Sequence, residues 1–224
     1  AVGYLAGAAI TTGGNNVIIG KEAGDGFTAN TTMTLIGSEA GTTINSNNAN
    51  GTVAVGYQSL GDLTSGATNT ALGSKSGDAA TTSSGSVFLG FDAGGTVTTG
   101  NQNIAIGLDS MNGGATTGDN NIAIGASAGD ALTSAYQNVL IGRNAGGSID
   151  TGDFNTAVGD NALKSATNGQ YNVAIGLNAG DVTTTGDRLT LIGTAAGRGA
   201  IDNDGQGTVA VGYAAYNAGT SGIG

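Results

Sequence analysis

The sequence contains no cysteine, proline, histidine or tryptophan in 224 residues. Without cysteine, the chain can form neither disulfide bonds nor thiolate metal sites. Without histidine, a serine–histidine–acid catalytic relay cannot be completed. Only six Lys and Arg residues oppose sixteen Asp and Glu residues, and the resulting net charge of −10 argues against binding to the phosphates of nucleic acid.

Long apolar runs are also missing. None approaches the roughly 18 residues of a membrane span, so we expect no membrane insertion. Glycine is abundant, with 44 residues, but it lacks the three-residue period and the proline of collagen. There is no initiator Met and no signal peptide, and both ends fall inside repeats, so we expect a segment of a longer chain.

A short motif recurs along the whole sequence, and residues 172–180 (NVAIGLNAG) are one copy. Its central glycine, here called the anchor, returns after 17, 18 or 19 residues. The anchors are Gly3, Gly20, Gly37, Gly56, Gly73, Gly90, Gly107, Gly125, Gly142, Gly159, Gly176, Gly193 and Gly212. So short a period predicts an all-β parallel β-roll, or solenoid, in which each coil of about 17 residues packs only against its neighbours. We expect one domain over residues 1–224 with about thirteen coils.

The three residues before each anchor predict a short strand. In one copy they are Ile104, Ala105 and Ile106. Across the repeats the first residue is β-branched, the second is most often Ala and the third is aliphatic, a composition that suits a pleated strand. Because side chains alternate along a strand, the first and third residues share one face and the second takes the other. Both faces are apolar, which is typical of a strand covered on both sides.

We expect the aliphatic pair to fill the coil and the Ala position to face another chain, because small side chains allow close approach of three backbones around one axis. The predicted trimer axis is Ala54, Ala71, Ala105, Ala123, Ala157, Ala174 and Ala210. In water these residues would form a long apolar stripe. Larger residues at the same position, such as Phe88 and Leu140, predict wider coils.

Two further patterns concern the loops. Asn stands four residues before the anchor in seven repeats, and stacked coils should align these amides in a ladder that satisfies turn backbone groups. These residues are Asn16, Asn69, Asn103, Asn121, Asn138, Asn155 and Asn172. Residues 33–41 and 51–57 recur at 189–197 and 207–213, which indicates a super-repeat of 156 residues, or nine coils. The two 19-residue intervals fall at the same place in it and predict a bulged loop.

No motif indicates a catalytic, cofactor or metal site. Ser127 lies in a GxSxG pattern, but the match falls on the structural repeat and no histidine exists to complete a relay. Asp202–Asn203–Asp204 resembles the start of a calcium loop without its bidentate Glu, and we interpret it as a solvated loop. We therefore predict that the protein is not an enzyme and needs no cofactor.

The repeats, for example residues 152–180 (GDFNTAVGDNALKSATNGQYNVAIGLNAG), resemble the 17-residue repeats of phage tail fibres and related surface proteins that precede an intramolecular chaperone domain. Their NxAIGxxA core is also similar to the head repeats of YadA-type trimeric autotransporter adhesins. The resemblance extends over essentially the whole chain. It implies a homotrimer of left-handed parallel β-rolls on a virion or cell surface. The coils of the adhesin heads are shorter than 17 residues.

Three functions are compatible with these patterns. The favoured one is a trimeric, structural and adhesive fibre segment, extracellular on a virion tail fibre or a cell surface, with a host-surface glycan or receptor as a further partner. The alternative is a monomeric ice- or polysaccharide-binding solenoid, although its Thr residues cluster in loops such as 183–185. A glycan-cleaving enzyme could use Asp150 and Asp153, but the ten Phe and Tyr residues are scattered along the sequence.

Overall fold

The computed structural model describes residues 1–198, 201 and 205–217 and shows an all-β parallel solenoid. Twelve three-residue strands form one sheet in chain order, and no α-helix occurs in the described residues. The strands are β1 (Val17–Ile19), β2 (Thr34–Ile36), β3 (Val53–Val55), β4 (Thr70–Leu72), β5 (Val87–Leu89), β6 (Ile104–Ile106), β7 (Ile122–Ile124), β8 (Val139–Ile141), β9 (Thr156–Val158), β10 (Val173–Ile175), β11 (Thr190–Ile192) and β12 (Val209–Val211).

Every strand pairs with the next at the same position of the repeat. In β6 and β7, for example, Ala105 lies opposite Ala123. Each strand ends immediately before an anchor, as predicted from the sequence. The twelve strands enclose eleven coils of about 17 residues, fewer than the thirteen expected from the anchors, because anchor Gly3 follows only an isolated bridge between Val2 and Ile19.

The anchors stack directly on one another. From Gly3 to Gly193 their φ angles lie between 127° and 144°, and a Cβ atom on any of them would collide with the backbone of the next anchor. Glycine is therefore required at this position both for conformation and for space. This column sets the close approach of successive coils.

The orientation of the strands differs from the prediction. In all twelve strands the middle residue is buried, and the seven alanines assigned to a trimer axis instead lie inside the coil of their own chain. Ala54, Ala71, Ala105, Ala123, Ala157 and Ala174 have no exposed surface, and Ala210 has 4%. The expectation that they face away from the coil is wrong, because the interior of a 17-residue coil is too narrow for two aliphatic columns from the same strand.

Large and small residues compensate each other inside the coil. The large middle residue Leu140 lies against Gly129 and Gly146, the residues four after their anchors, and a Cβ atom on Gly129 would be 3.0 Å from the Cδ1 atom of Leu140. Where that position is large, as at Met111 and Leu163, the middle strand residue of the same repeat is Ala. The larger middle residues therefore fill space left by glycine and do not require wider coils.

The Asn residues form the expected ladder. Asn121 donates from Nδ2 to the carbonyl of Ala135 at 2.8 Å, while its Oδ1 accepts the backbone N–H of Asn138 at 3.1 Å. The same two bonds to the next coil recur at the other positions of the ladder, for example at Asn155 and Asn172. Each buried amide thus satisfies backbone groups that the strand does not pair.

The first 19-residue interval has its extra residues in the loop around Ala49. The Ala49 N–H donates to Oδ1 of Asn30 at 3.3 Å, so the longer loop still returns to the Asn column. The second interval includes 199–200 and 202–204, and the predicted bulge there and the Asp202–Asn203–Asp204 motif lie outside the described residues.

Candidate functional site

The outward side chains of the sheet form an apolar surface, here called the outer face. With the middle residue turned inward, the first and third residues of each strand point to solvent. Leu72 is 47% exposed, Leu89 39% and Ile175 40%, and most of the remaining residues of these two columns are at least partly exposed. These are the residues that the sequence had placed inside the coil.

The alternation continues past the anchor and adds a third column. Its exposed members include Tyr57, Phe91, Leu108 and Leu177, each directly after an anchor. The column is not uniformly apolar. Arg143 and Asp160 occupy it in adjacent coils and form an ion pair at 2.8 Å.

The outer face is larger than the apolar patches of most monomeric proteins. Eleven steps between strands at about 4.8 Å give a length of roughly 53 Å, and three columns span about 13 Å across the strand. The resulting area of roughly 700 Å² exceeds the usual largest patch of a monomer and is close to what one partner contributes to a standard protein–protein interface. The outer face is therefore the candidate functional site.

The carboxylates considered for catalysis are engaged in the frame of the solenoid. Asp150 Oδ1 accepts a hydrogen bond from the hydroxyl of Thr133, and Asp153 Oδ1 accepts the backbone N–H of Tyr136 at 3.0 Å. Ser127 occupies a turn position with a φ of 53°. Within the described ranges, no group of three or more acidic, His or Cys side chains is placed to hold a metal ion.

A second group of acidic residues lies in a depression near the N-terminal end, with Glu22, Glu39, Asp62 and Asp78 among its lining. Burial raises the pKa of the Asp78 carboxyl, and the nearby charge of Asp92 adds to this effect. Burial likewise raises the pKa of Asp130 further along the same side. These shifts indicate crowding of like charges and reduced hydration.

Three aromatic rings that are dispersed in the sequence come together in the structure. The ring centroids of Tyr136 and Phe154 are 5.2 Å apart with the planes at 76°, and those of Phe154 and Tyr171 are 5.0 Å apart and nearly parallel. The guanidinium of Arg188 lies 5.8 Å from the Tyr171 centroid. Sequence reasoning missed this cluster, although all four residues stand five or six positions before an anchor and the register could have aligned them.

Comparison of the chain with protein-family models, with curated proteins and with solved structures gave no match. In the described part of the chain, no helix has the length and apolar character of a membrane span.

Proposed function

We propose that the chain is a structural and adhesive segment of a homotrimeric extracellular fibre, on a virion tail fibre or a cell surface, whose chains associate through the outer face. The observation that carries this proposal is the continuous apolar outer face. Water contact with three apolar columns along eleven coils is unfavourable, and a closed symmetric assembly removes all of it at once.

The size of the outer face supports a stable association. Burying roughly 700 Å² per chain at about 25 cal/mol per Å² gives about 17 kcal/mol per chain before the costs of association. Those costs are an estimated 4–15 kcal/mol or more for lost translational and rotational freedom, so a favourable balance requires most of the outer face to be covered. The three-fold stoichiometry follows from the resemblance of the repeats to trimeric fibre and adhesin repeats.

The mass of the folded species in solution tests this proposal. Sedimentation equilibrium or light scattering should give three times the chain mass of 21.3 kDa at micromolar concentration. A mass of one chain would refute the proposed association, and a mass of two chains would refute the stoichiometry.

The monomeric ice-binding alternative receives less support from the Thr residues. A column of threonines does exist in the loops, but its hydroxyls donate to carbonyls of the next coil, as from Thr64 to Thr81 at 2.9 Å and from Thr81 to Thr98 at 3.2 Å. These hydroxyl protons are engaged within the chain and are not offered to an external lattice.

A further inference from the structure

A strip of planar polar and aromatic side chains runs along one corner of the solenoid, at the two positions before the Asn ladder. It comprises one residue pair per coil, seventeen residues apart, over five coils from Asp119–Asn120 to Asp187–Arg188. We call it the corner strip. It includes the aromatic cluster of Tyr136, Phe154 and Tyr171.

The backbone of the corner strip is held by its own aspartates. Oδ1 of Asp119 accepts the N–H of Asn101 at 2.6 Å, and Oδ1 of Asp187 accepts the N–H of Gln170 at 2.8 Å. Asp153 makes the same bond to Tyr136. Their Oδ2 atoms accept no hydrogen bond from any described residue. The corner strip thus presents carboxylate oxygens to solvent from a fixed frame, which lowers the entropic cost of binding.

Tyr136 differs from the other two rings. Phe154 and Tyr171 cover each other's faces, whereas the plane of Tyr136 is rotated by 76° from that of Phe154. Tyr136 is 41% exposed and lines a depression of about 390 Å³. The same depression is lined by Asp119, Asn120, Ser134 and Gln137.

The polar groups around Tyr136 are available to a ligand. The side chains of Asn120, Ser134 and Gln137 are exposed and make no hydrogen bond to any residue that the structure describes. An amide offers both donors and an acceptor, and a carboxylate accepts two or more hydroxyl protons. A ring with a negative face beside such groups suits a ligand that has polarised C–H bonds on one side and hydroxyls at its edge.

We propose that the corner strip binds a neutral oligosaccharide, with a sugar ring against Tyr136 and its hydroxyls bonded to Asp119 and Gln137. Acidic sugars are disfavoured because three aspartates of the corner strip face only one cation, Arg188, in a chain of net charge −10. The inference rests on the proposed attachment function and names its ligand class and site.

A printed array of neutral and sialylated oligosaccharides, probed with the purified chain, tests this site. The parent should bind neutral glycans, and Tyr136→Ala should lower the affinity about tenfold while Tyr136→Phe retains it, since the ring supplies the contact. Gln137→Ala should weaken binding. The matched control is Gln102→Ala, which changes the same residue type at the same repeat position, also exposed and at a similar φ, outside the depression.

Other results would overturn the inference. Absence of binding to every glycan, binding to sialylated glycans alone, or unchanged binding by Tyr136→Ala would each refute it. The mass measured on the same preparation separates this test from that of the proposed function. A trimer that binds no glycan refutes only the corner strip, and a monomer that binds neutral glycans through Tyr136 refutes only the trimer.

Discussion

At the residue scale, the coil interior is governed by volume. A single strand position can hold Ala or Leu because the residue six positions later holds a large side chain or none. Leu140 and Gly146 form one such pair, and Leu163 with Ala157 forms the inverse arrangement. The left-handed conformation does not prevent the exchange, since Leu163 has a φ of 49° where Gly146 has 57°.

This compensation predicts a non-additive pair of substitutions. Leu140→Ala should lower the free energy of unfolding by about 2–5 kcal/mol, because it leaves a cavity bounded by two glycines. Gly146→Leu alone should also destabilise, because a Cβ atom there would already lie 2.7 Å from Leu140 Cδ2. Urea denaturation of the double variant should show a smaller loss than the sum. A strictly additive loss would show that the two side chains do not share one space.

At the element scale, each coil is tied to the next by the Asn ladder as well as by the strand. Asn138 donates from Nδ2 to the carbonyl of Gly152 at 2.9 Å, and its Oδ1 accepts the N–H of Asn155 at 2.8 Å. Both partners belong to the following coil. A three-residue strand makes few ladder bonds, so these buried amides supply a substantial part of the connection between coils.

Asn138→Ala should therefore lower the free energy of unfolding by about 2–4 kcal/mol, because it leaves buried backbone groups without partners. The control is Asn144→Ala, which removes a partly buried amide that donates to Oδ1 of Asn161 at 3.0 Å and should cost about 1 kcal/mol or less. Thermal and urea unfolding of both variants measure the difference. Equal losses would mean that burial of the ladder does not matter.

At the scale of the whole molecule, neighbouring residues have opposite roles because they point to opposite sides of one sheet. Ile141 is 37% exposed on the outer face, whereas Ala123 is fully buried in the coil. An acidic substitution at each position should therefore affect a different property, either association or folding.

Ile141→Asp should dissociate the assembly into folded single chains, since three carboxylates would meet at one dry interface. Ala123→Asp should instead lower the melting temperature of the chain itself, because it places a charge inside the coil. Sedimentation and circular dichroism of both variants distinguish the effects, with Thr117→Asp in a solvent loop as the control that changes neither. An Ile141→Asp variant with the mass of the parent would exclude the outer face as the interface.

Much of the fold was determined by the sequence alone. The constant spacing of the anchors places every strand to the residue, because a column of glycines with colliding Cβ positions admits only one register. The Asn ladder is equally local, since an amide repeated at the coil period can only meet its copies in adjacent coils.

Only the tertiary structure decided which face of the sheet points inward and which loop residues meet. A strand with two apolar faces has no polar side to mark the exterior, so its hydrophobic pattern is compatible with either orientation. The limited volume of the coil decides in favour of Ala105 and its equivalents inside, and turns Ile104 and Ile106 outward. Tyr136, Phe154 and Tyr171 become neighbours for a related reason, because stacking at the coil period brings residues about 17 apart within contact distance.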